Sequence, residues 1–446
     1  MAGGGSRRPG AAATGAPKVA VPQAAAPKTA TPRSAAYGVT TAPPVAVLPI
    51  APSMLVAKPT PARTSARLAS PAETDLVQAV RFLQSGDWQA AERQLEGLTR
   101  REPKFHLAQF ILADLLAARS GNSEVLQMIR AQNPRAEELI EEYRVRMQDT
   151  LTQAPPSGAV PDAVLSLSGG SRSAIVVDLS RARLYVMQKS GNSIRMVGSF
   201  YASIARNGFG KNTSGDLRTP VGIYHANTFT PGTALPPFYG SGAFPLDYPN
   251  LWDRALGRTG SGIWLHGVPG DTYVRPPRTS EGCVVLANSD LLALRPWIGG
   301  TEATPVVFSD RLSWSSPDSL ATQRRELSRR IELWRSRWAA GDTNHYLSLY
   351  APDFRDNGMN RMQLATTARS TLSDGLRATA KLSNIDLFRY PGEKDLVMAE
   401  FDLDYPDAGV ATRTHHQQFW RKGPDGQWKI IREDGAPELR AVAVRN

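Results

Sequence analysis

Cys283 is the only cysteine in 446 residues. It follows Gly282 in "RTSEGCVVLANS" (Arg278–Ser289), a stretch with the composition of a turn. A thiol is a nucleophile only as the thiolate, and its free pKa of about 8.5 keeps it largely protonated at neutral pH. A reactive cysteine therefore needs a base or a cation beside it, and N–H groups aimed at the oxygen it makes anionic. His266 is a candidate base. It ends the short apolar strand "GIWLHG" (Gly262–Gly267), and Gly267 behind it lets the ring emerge at the strand end. Gly282 allows the chain to approach a ligand closely, so the amides around Gly282 and Cys283 are candidate oxyanion donors. Ser280 is placed either to hydrogen-bond the histidine or to fix the loop. Arg275 and Arg278 precede the cysteine, and a guanidinium pairs with a carboxylate through two parallel hydrogen bonds. They are candidates for holding a substrate carboxylate, with solvated loop charges as the plainer reading. A lone cysteine is by default a small buried hydrophobe. The histidine 17 positions upstream and the glycine before the thiol turn that default toward nucleophilic chemistry.

The other polar candidates are weaker. His225 in "GIYHANTF" reads as a strand residue, and His106 as a structural residue among apolar helical positions. His415 and His416 are adjacent on a strand and point to opposite faces, which argues against a metal site. "NGFGKNTSG" has the glycines of a phosphate loop but lacks the Gly-Lys-Ser/Thr ending and a following helix. Acyl transfer by a cysteine calls for no metal and no organic cofactor.

The elements that must position these residues fall into blocks. Residues 73–152 have helical periodicity, with Leu76, Val80 and Leu83 on one face, Ala91, Leu95 and Leu98 on the next, and Phe110, Leu112, Leu115 and Leu116 on a third. "GDWQAAERQLEGLTRREP" resembles a tetratricopeptide repeat, and a single repeat cannot bury its faces alone. The block reads as a spacer or as a surface for a protein partner. "QAPPSGAVPD" makes 153–161 a linker. From 162 to 311 the period becomes that of strands: "SAIVVDLSRARLYVMQ" forms two around a turn at Ser180–Arg181, Ser193–Ala205 a third, and "TPVVFSD" closes the block. "NSDLLALRPWI" is a short helix with Asn288 or Ser289 as its N-cap. Residues 320–437 begin with two helices, the first spacing Leu327, Ile331, Trp334 and Trp338 along one face, and end in four strands. The expected fold class is therefore multidomain: a mainly-β middle domain, an N-terminal α-helical module and a C-terminal α+β domain. Trp334, Trp338, Trp420 and Trp428 read as core rather than as sugar platforms.

The net charge of +11 suggests a nucleic-acid partner until its distribution is seen. Residues 1–72 hold eight basic residues and no acid, which leaves +3 for everything beyond. That Ala/Pro-rich tail has too little apolar surface to fold. A nucleic-acid partner is not expected. No apolar run is long enough to span a membrane, and Pro49 and Pro52 interrupt the one apolar piece of the tail, so no clear signal peptide is visible.

"WLHG" followed by "TSEGCVVLANSDLLAL" resembles the signature of the YkuD-type L,D-transpeptidase catalytic domain, and "RTPVGIY" (Arg218–Tyr224) is similar to its upstream Thr-Pro-x-Gly element. "LWRSRWAAGDTNHYLSLYAPDF" resembles the first helices of a nuclear-transport-factor-like (SnoaL-like) cone. The resemblance implies a peptidoglycan stem tetrapeptide as substrate, Cys283 as nucleophile, His266 as base and a location in the periplasm or cell envelope. It implies transfer of the acyl group to an amine. The pairing of the two domains resembles a subgroup that includes L,D-carboxypeptidases, which use water instead. Two positions depart from the pattern: Glu281 stands where the family often has histidine, and Val285 where it often has arginine. An acid at 281 would disfavour the thiolate if its charge lay near the sulfur. A wall-binding scaffold with an idle cysteine is the reading from a different class.

Overall fold

The computed structural model describes residues 70–434 apart from 149–150, 152–153, 169, 301, 357, 373–378 and 408–409. Residues 1–69 of the basic tail and the end of the C-terminal block, 435–437, lie outside the described residues, and residues 70–72, counted with the tail, instead cap and begin the first helix. All described residues fall within one compact unit.

Five helices form the N-terminal module: α1 (Pro71–Gln84), α2 (Trp88–Arg101), α3 (His106–Ser120), α4 (Ser123–Ala131) and α5 (Pro134–Met147). Ser70 caps α1 through the Glu73 amide, and Asp87 caps α2 through the Ala90 amide. Leu76, Val80, Ala91, Leu95 and Leu98 are buried where the periodicity places them. In α3 the buried face is Leu107, Ala108, Ile111 and Leu115, whereas Leu116 is exposed. That rotation puts His106 on the surface. The module does not stand alone. Tyr273 and Val274, from the loop after His266, pack against its core, and the Phe105 ring stacks on Tyr273 at 4.3 Å.

The middle of the chain runs β1 (Val160–Pro161), β2 (Val164–Ser166), β3 (Ser173–Asp178), β4 (Arg183–Ser190), β5 (Ser193–Tyr201), β6 (Ile204–Ala205), β7 (Gly222–Ala226), β8 (Thr230–Pro231), β9 (Gly242–Pro245), α6 (Leu251–Ala255), β10 (Trp264–His266), β11 (Arg278–Ser280), β12 (Val284–Val285), α7 (Asn288–Leu294), β13 (Thr304–Ser309) and β14 (Trp314–Ser315). A five-stranded sheet has the order β5-β4-β3-β13-β7, and a second sheet the order β12-β10-β9-β8. Strand β3 is buried at every residue, which explains its unbroken "AIVV" run. Ile175, Val177, Leu184 and Val186 face one core together with Leu265 and Val284, next to the candidate site. Val176, Tyr185 and Met187 face the other way.

The C-terminal block is α8 (Pro317–Ala339), α9 (Thr343–Ser348), β15 (Arg355–Asp356), β16 (Met359–Asn360), α10 (Arg361–Thr371), β17 (Lys381–Arg389), β18 (Leu396–Asp407), β19 (Val410–Lys422) and β20 (Trp428–Asp434). Its antiparallel sheet has the order β2-β17-β18-β19-β20. Strand β2, which the sequence assigns to the middle domain, is thus an edge strand of the C-terminal sheet. Trp334, Trp338, Trp420 and Trp428 are all buried. The cone is filled by a hydrogen-bonded chain in which Trp334 Nε1 donates to Tyr350 Oη at 2.9 Å and Tyr350 Oη donates to Glu433 at 2.6 Å. The core of this block is continuous with Val176, Tyr185 and Met187. The C-terminal domain therefore covers the sheet face opposite the one next to Cys283, an arrangement that does not make it a lid over the thiol.

Candidate functional site

The parallel pairing of β10 with β12 brings His266 and Cys283 into one neighbourhood. Leu265 opposes Val284 and His266 opposes Val285. One step back along the ladder, Cys283 lies beside Trp264. Side chains alternate along strands, so Trp264, His266, Cys283 and Val285 share a face. The diagonal pair His266 and Cys283 then has its Cα atoms about 8 Å apart, within the combined reach of an imidazole and a thiol.

Gly282 sets up the turn before the thiol. Its φ is +145°, and a Cβ there would meet Ile263 Cδ1 at 2.9 Å. Ser280 fixes the loop and does not bond to the histidine: its Oγ donates to the Cys283 carbonyl at 2.6 Å and accepts from the Gly282 amide at 3.3 Å. Gly267 serves packing. A Cβ on it would lie 2.1 Å from Asn288 Oδ1. That oxygen accepts from the Ser241 amide at 2.8 Å and from the Val268 amide at 3.2 Å. Asn288 is therefore committed to this bracing, and α7 starts from Ala287 without a side-chain cap.

His266 is buried, and its Nδ1 lies 2.7 Å from the Gly267 carbonyl. A carbonyl only accepts, so Nδ1 carries the proton and Nε2 keeps its lone pair. Burial lowers the imidazole pKa to about 4, the Gly267 bond opposes this, and the nearby Arg275 charge adds to it. Burial raises the thiol to about 11, against the pull of the Trp264 amide and of Arg275. The resting pair is thus neutral thiol and neutral imidazole. The half-buried thiol points its Sγ at the Gly262 carbonyl, 3.4 Å away.

Glu281 turns outward, with its side chain 70% exposed, and pairs with Arg206 at 2.6 Å. Its charge is a minor influence that raises the thiol pKa. Val285 is fully buried and bridges to Ser203, so no anchor stands in its place. Arg275 is half-buried, with its guanidinium 4.2 Å from the centre of the Phe238 ring. Arg278 is exposed and lines, with Glu137, Glu138 and Glu141 of α5, a groove that adjoins the one holding Arg275. The two arginines are thus split: one reaches the site and the other does not.

Sequence reasoning missed the aromatic surround. Phe238 and Tyr239 sit in a short 3-10 turn, with ring centres 5.7 Å and 5.0 Å from that of His266. Their only mark in the sequence is "PPFYG". It also missed Lys211 of "NGFGKNTSG". This lysine is buried, bonds Asp216 at 2.8 Å, and its charge favours the thiolate. His225 is a strand residue as expected, yet its ring bridges Asp247 at 3.0 Å and Glu400 at 2.9 Å. His415 and His416 do face opposite ways: His415 pairs with Asp402, and His416 is buried beside Glu433. Among the described residues, no three His, Cys, Asp or Glu side chains converge as a metal site requires. No helix among them is long and apolar enough to cross a membrane.

Residues 172–308 match the L,D-transpeptidase catalytic domain family (YkuD), and residues 326–434 match the Cds6 C-terminal NTF2-like domain. Cys283, His266 and Arg275 all lie within the first. Among solved structures, Bd1075 of Bdellovibrio bacteriovorus is similar at 28% identity and a TM-score of 0.52, over 63% of this chain and 99% of that one. The helical cell shape determining protein Pgp2 of Campylobacter jejuni is similar at 26% identity and a TM-score of 0.52, over 61% of this chain and 95% of that one. No curated protein matches. The YkuD match and these neighbours support a peptidoglycan-acting L,D-transpeptidase or carboxypeptidase family for this chain.

Proposed function

We propose that this protein is a cysteine acyltransferase of the cell envelope, acting on the peptidoglycan stem tetrapeptide. The observation that carries the reading is the parallel register of β10 and β12, which sets His266 diagonal to Cys283 on one face. In the proposed reaction His266 Nε2 takes the thiol proton as Cys283 attacks the carbonyl of the third, L-centred residue. The Cys283 amide and its Gly282-shaped turn hold the oxyanion. Arg275 binds the carboxylate of the departing D-alanine, and the imidazolium returns its proton to that alanine's amine. The resulting thioester passes to an amine of a second stem, which restores the thiol.

Hydrolysis of the same thioester is the second reading. It is favoured by the domain pairing, since a YkuD-type domain followed by an NTF2-like one resembles a subgroup that includes L,D-carboxypeptidases. Trimming stems to tripeptides removes donors for cross-linking and so alters the wall.

Incubation of the purified chain with disaccharide tetrapeptide, followed by mass spectrometry, tests both. Dimers with free D-alanine support transfer, and tripeptide alone supports hydrolysis. Neither product is expected from Cys283→Ala. Unchanged products from that variant, with no thiol adduct on carbapenem treatment, would leave the non-catalytic scaffold standing.

A further inference from the structure

We propose that the groove between the helical module and the loop leading to Cys283 binds a second stem peptide through its carboxylates. The proposal rests on the acyl-transfer reading above and concerns a different part of the substrate from the scissile bond. The groove has a volume of about 620 Å³, in the range that holds a small peptide. One wall is built by the first turns of α3 and α5, with Lys104, His106, Arg135 and Glu138; the other is the Thr272–Thr279 loop with Arg275.

Arg275 joins this groove to the candidate site. Its guanidinium stacks on Phe238, the Phe238 ring meets His266, and its charge reaches the thiol. No ion pair is formed by Arg275 or Arg135 among the described residues. Arg275 takes the donor's carboxylate in the reading above, so Arg135 is the guanidinium that the groove offers to a second stem. Charge in the groove is also unbalanced. Lys104, Arg135 and Arg275 face Glu138 and Glu142, and Glu142 is already bonded to Arg146 at 2.9 Å. Lys104 donates to the Gly270 carbonyl and ties the two walls together. The excess positive charge selects an anionic strand, and a stem peptide supplies carboxylates along an extended backbone. The ladder behind the loop makes the floor rigid: Thr279 hydrogen-bonds Ser203, which pairs with Val285, two residues past the thiol.

The test is a calorimetric titration of full-length Cys283→Ala protein with disaccharide tripeptide, which this variant cannot turn over. Two sites per chain are expected, one beside the mutated thiol and one in the groove. Adding Arg135→Glu should weaken the second by about tenfold or more and leave the first in place. Arg100→Glu, the same charge change on the exposed part of α2 outside the groove, should leave both. A single site in Cys283→Ala overturns the proposal, as does an equal effect of Arg100→Glu and Arg135→Glu. Failure of the acyl-transfer reading appears elsewhere, as absence of dimers when the unmutated chain is given disaccharide tetrapeptide, so the two outcomes are separable.

Discussion

The pKa shifts at the two reacting residues determine how the thiol should behave before substrate arrives. A cysteine held as a thiolate–imidazolium pair alkylates rapidly at neutral pH. Here burial drives both groups to their neutral forms, Cys283 to about 11 and His266 to about 4. At pH 7 the thiolate fraction is then about one part in ten thousand. The iodoacetamide reaction of Cys283, the sole thiol, should rise about tenfold per pH unit from 7 to 10, with no plateau near neutrality. A rate that levels off between pH 5 and 7 would mean a preformed ion pair and would refute the neutral-pair description. The acid limb of turnover should likewise sit near pH 4, because His266 must be unprotonated to act as base. Activation then falls to the attack itself, in which His266 Nε2 takes the thiol proton as the sulfur adds to the carbonyl. This part was legible early, since one cysteine, its glycine and an upstream histidine lie in a short window. Phe238 and Tyr239 were not, because a 3-10 turn has no periodic signature to give its residues a facing direction.

At the scale of elements, the helical module is held by buried charge as much as by apolar packing. Glu73 of α1 is buried and pairs with Arg183 of β4 at 2.5 Å and Arg146 of α5 at 3.3 Å. Burial alone would raise its pKa, but the two guanidinium groups outweigh that and keep it lowered. Arg146 also lies over the Tyr201 ring at 3.8 Å, and Tyr201 Oη donates to the Arg275 carbonyl at 2.9 Å. The seam thus ends on the arginine of the candidate site. Glu73→Ala should cost up to about 3–5 kcal/mol, because it removes the buried carboxylate that Arg183 and Arg146 share, whereas a surface pair would cost under about 1 kcal/mol. Hydrogen exchange should show α1–α5 opening before the β3–β13 sheet, with turnover falling alongside. Exchange unchanged across the module would refute the docking role of Glu73. None of this was readable beforehand. Periodicity finds the inner faces of α1 and α2 because their partners are near in sequence, but Glu73 and Arg183 are 110 positions apart. The same distance hides the pairing of β2, inside the 162–311 block, with β17, which begins more than 200 residues later. His106 was misread for a local reason: its apolar neighbours suggest burial, yet the buried face of α3 passes through 107, 108, 111 and 115.

Across the whole molecule, the catalytic domain is clamped from two sides by different means. The helical module packs on Tyr273 and Val274 of the loop before Cys283, while the C-terminal domain shares its core with the far face of the sheet. On that far side His225 of β7 is the one imidazole that spans the two domains, between Asp247 and Glu400. Burial works against its charge, but Glu400 and Asp247 outweigh burial and raise its pKa well above 6.5. Glu400 is lowered in turn by His225, against its own burial, and is therefore ionised. Asp386, Asp402, His415, Arg254 and Glu302 line the same cavity, so the bridge sits in a largely acidic setting. A histidine whose pKa is raised on folding contributes stability that is complete below its unfolded value, near 6.5, and lost as pH rises through its folded value. His225→Gln should therefore lower the melting temperature most at pH 6, with the gap to the unmutated chain closing as pH rises from there through the folded value. Scanning calorimetry of both proteins across that range measures it. A gap that stays constant or widens with pH would mean the ring acts through packing alone. Because the bridge joins sheet faces on the side away from Cys283, the same substitution should leave the alkylation profile of the thiol unmoved, which separates the clamp from the chemistry within one pair of proteins.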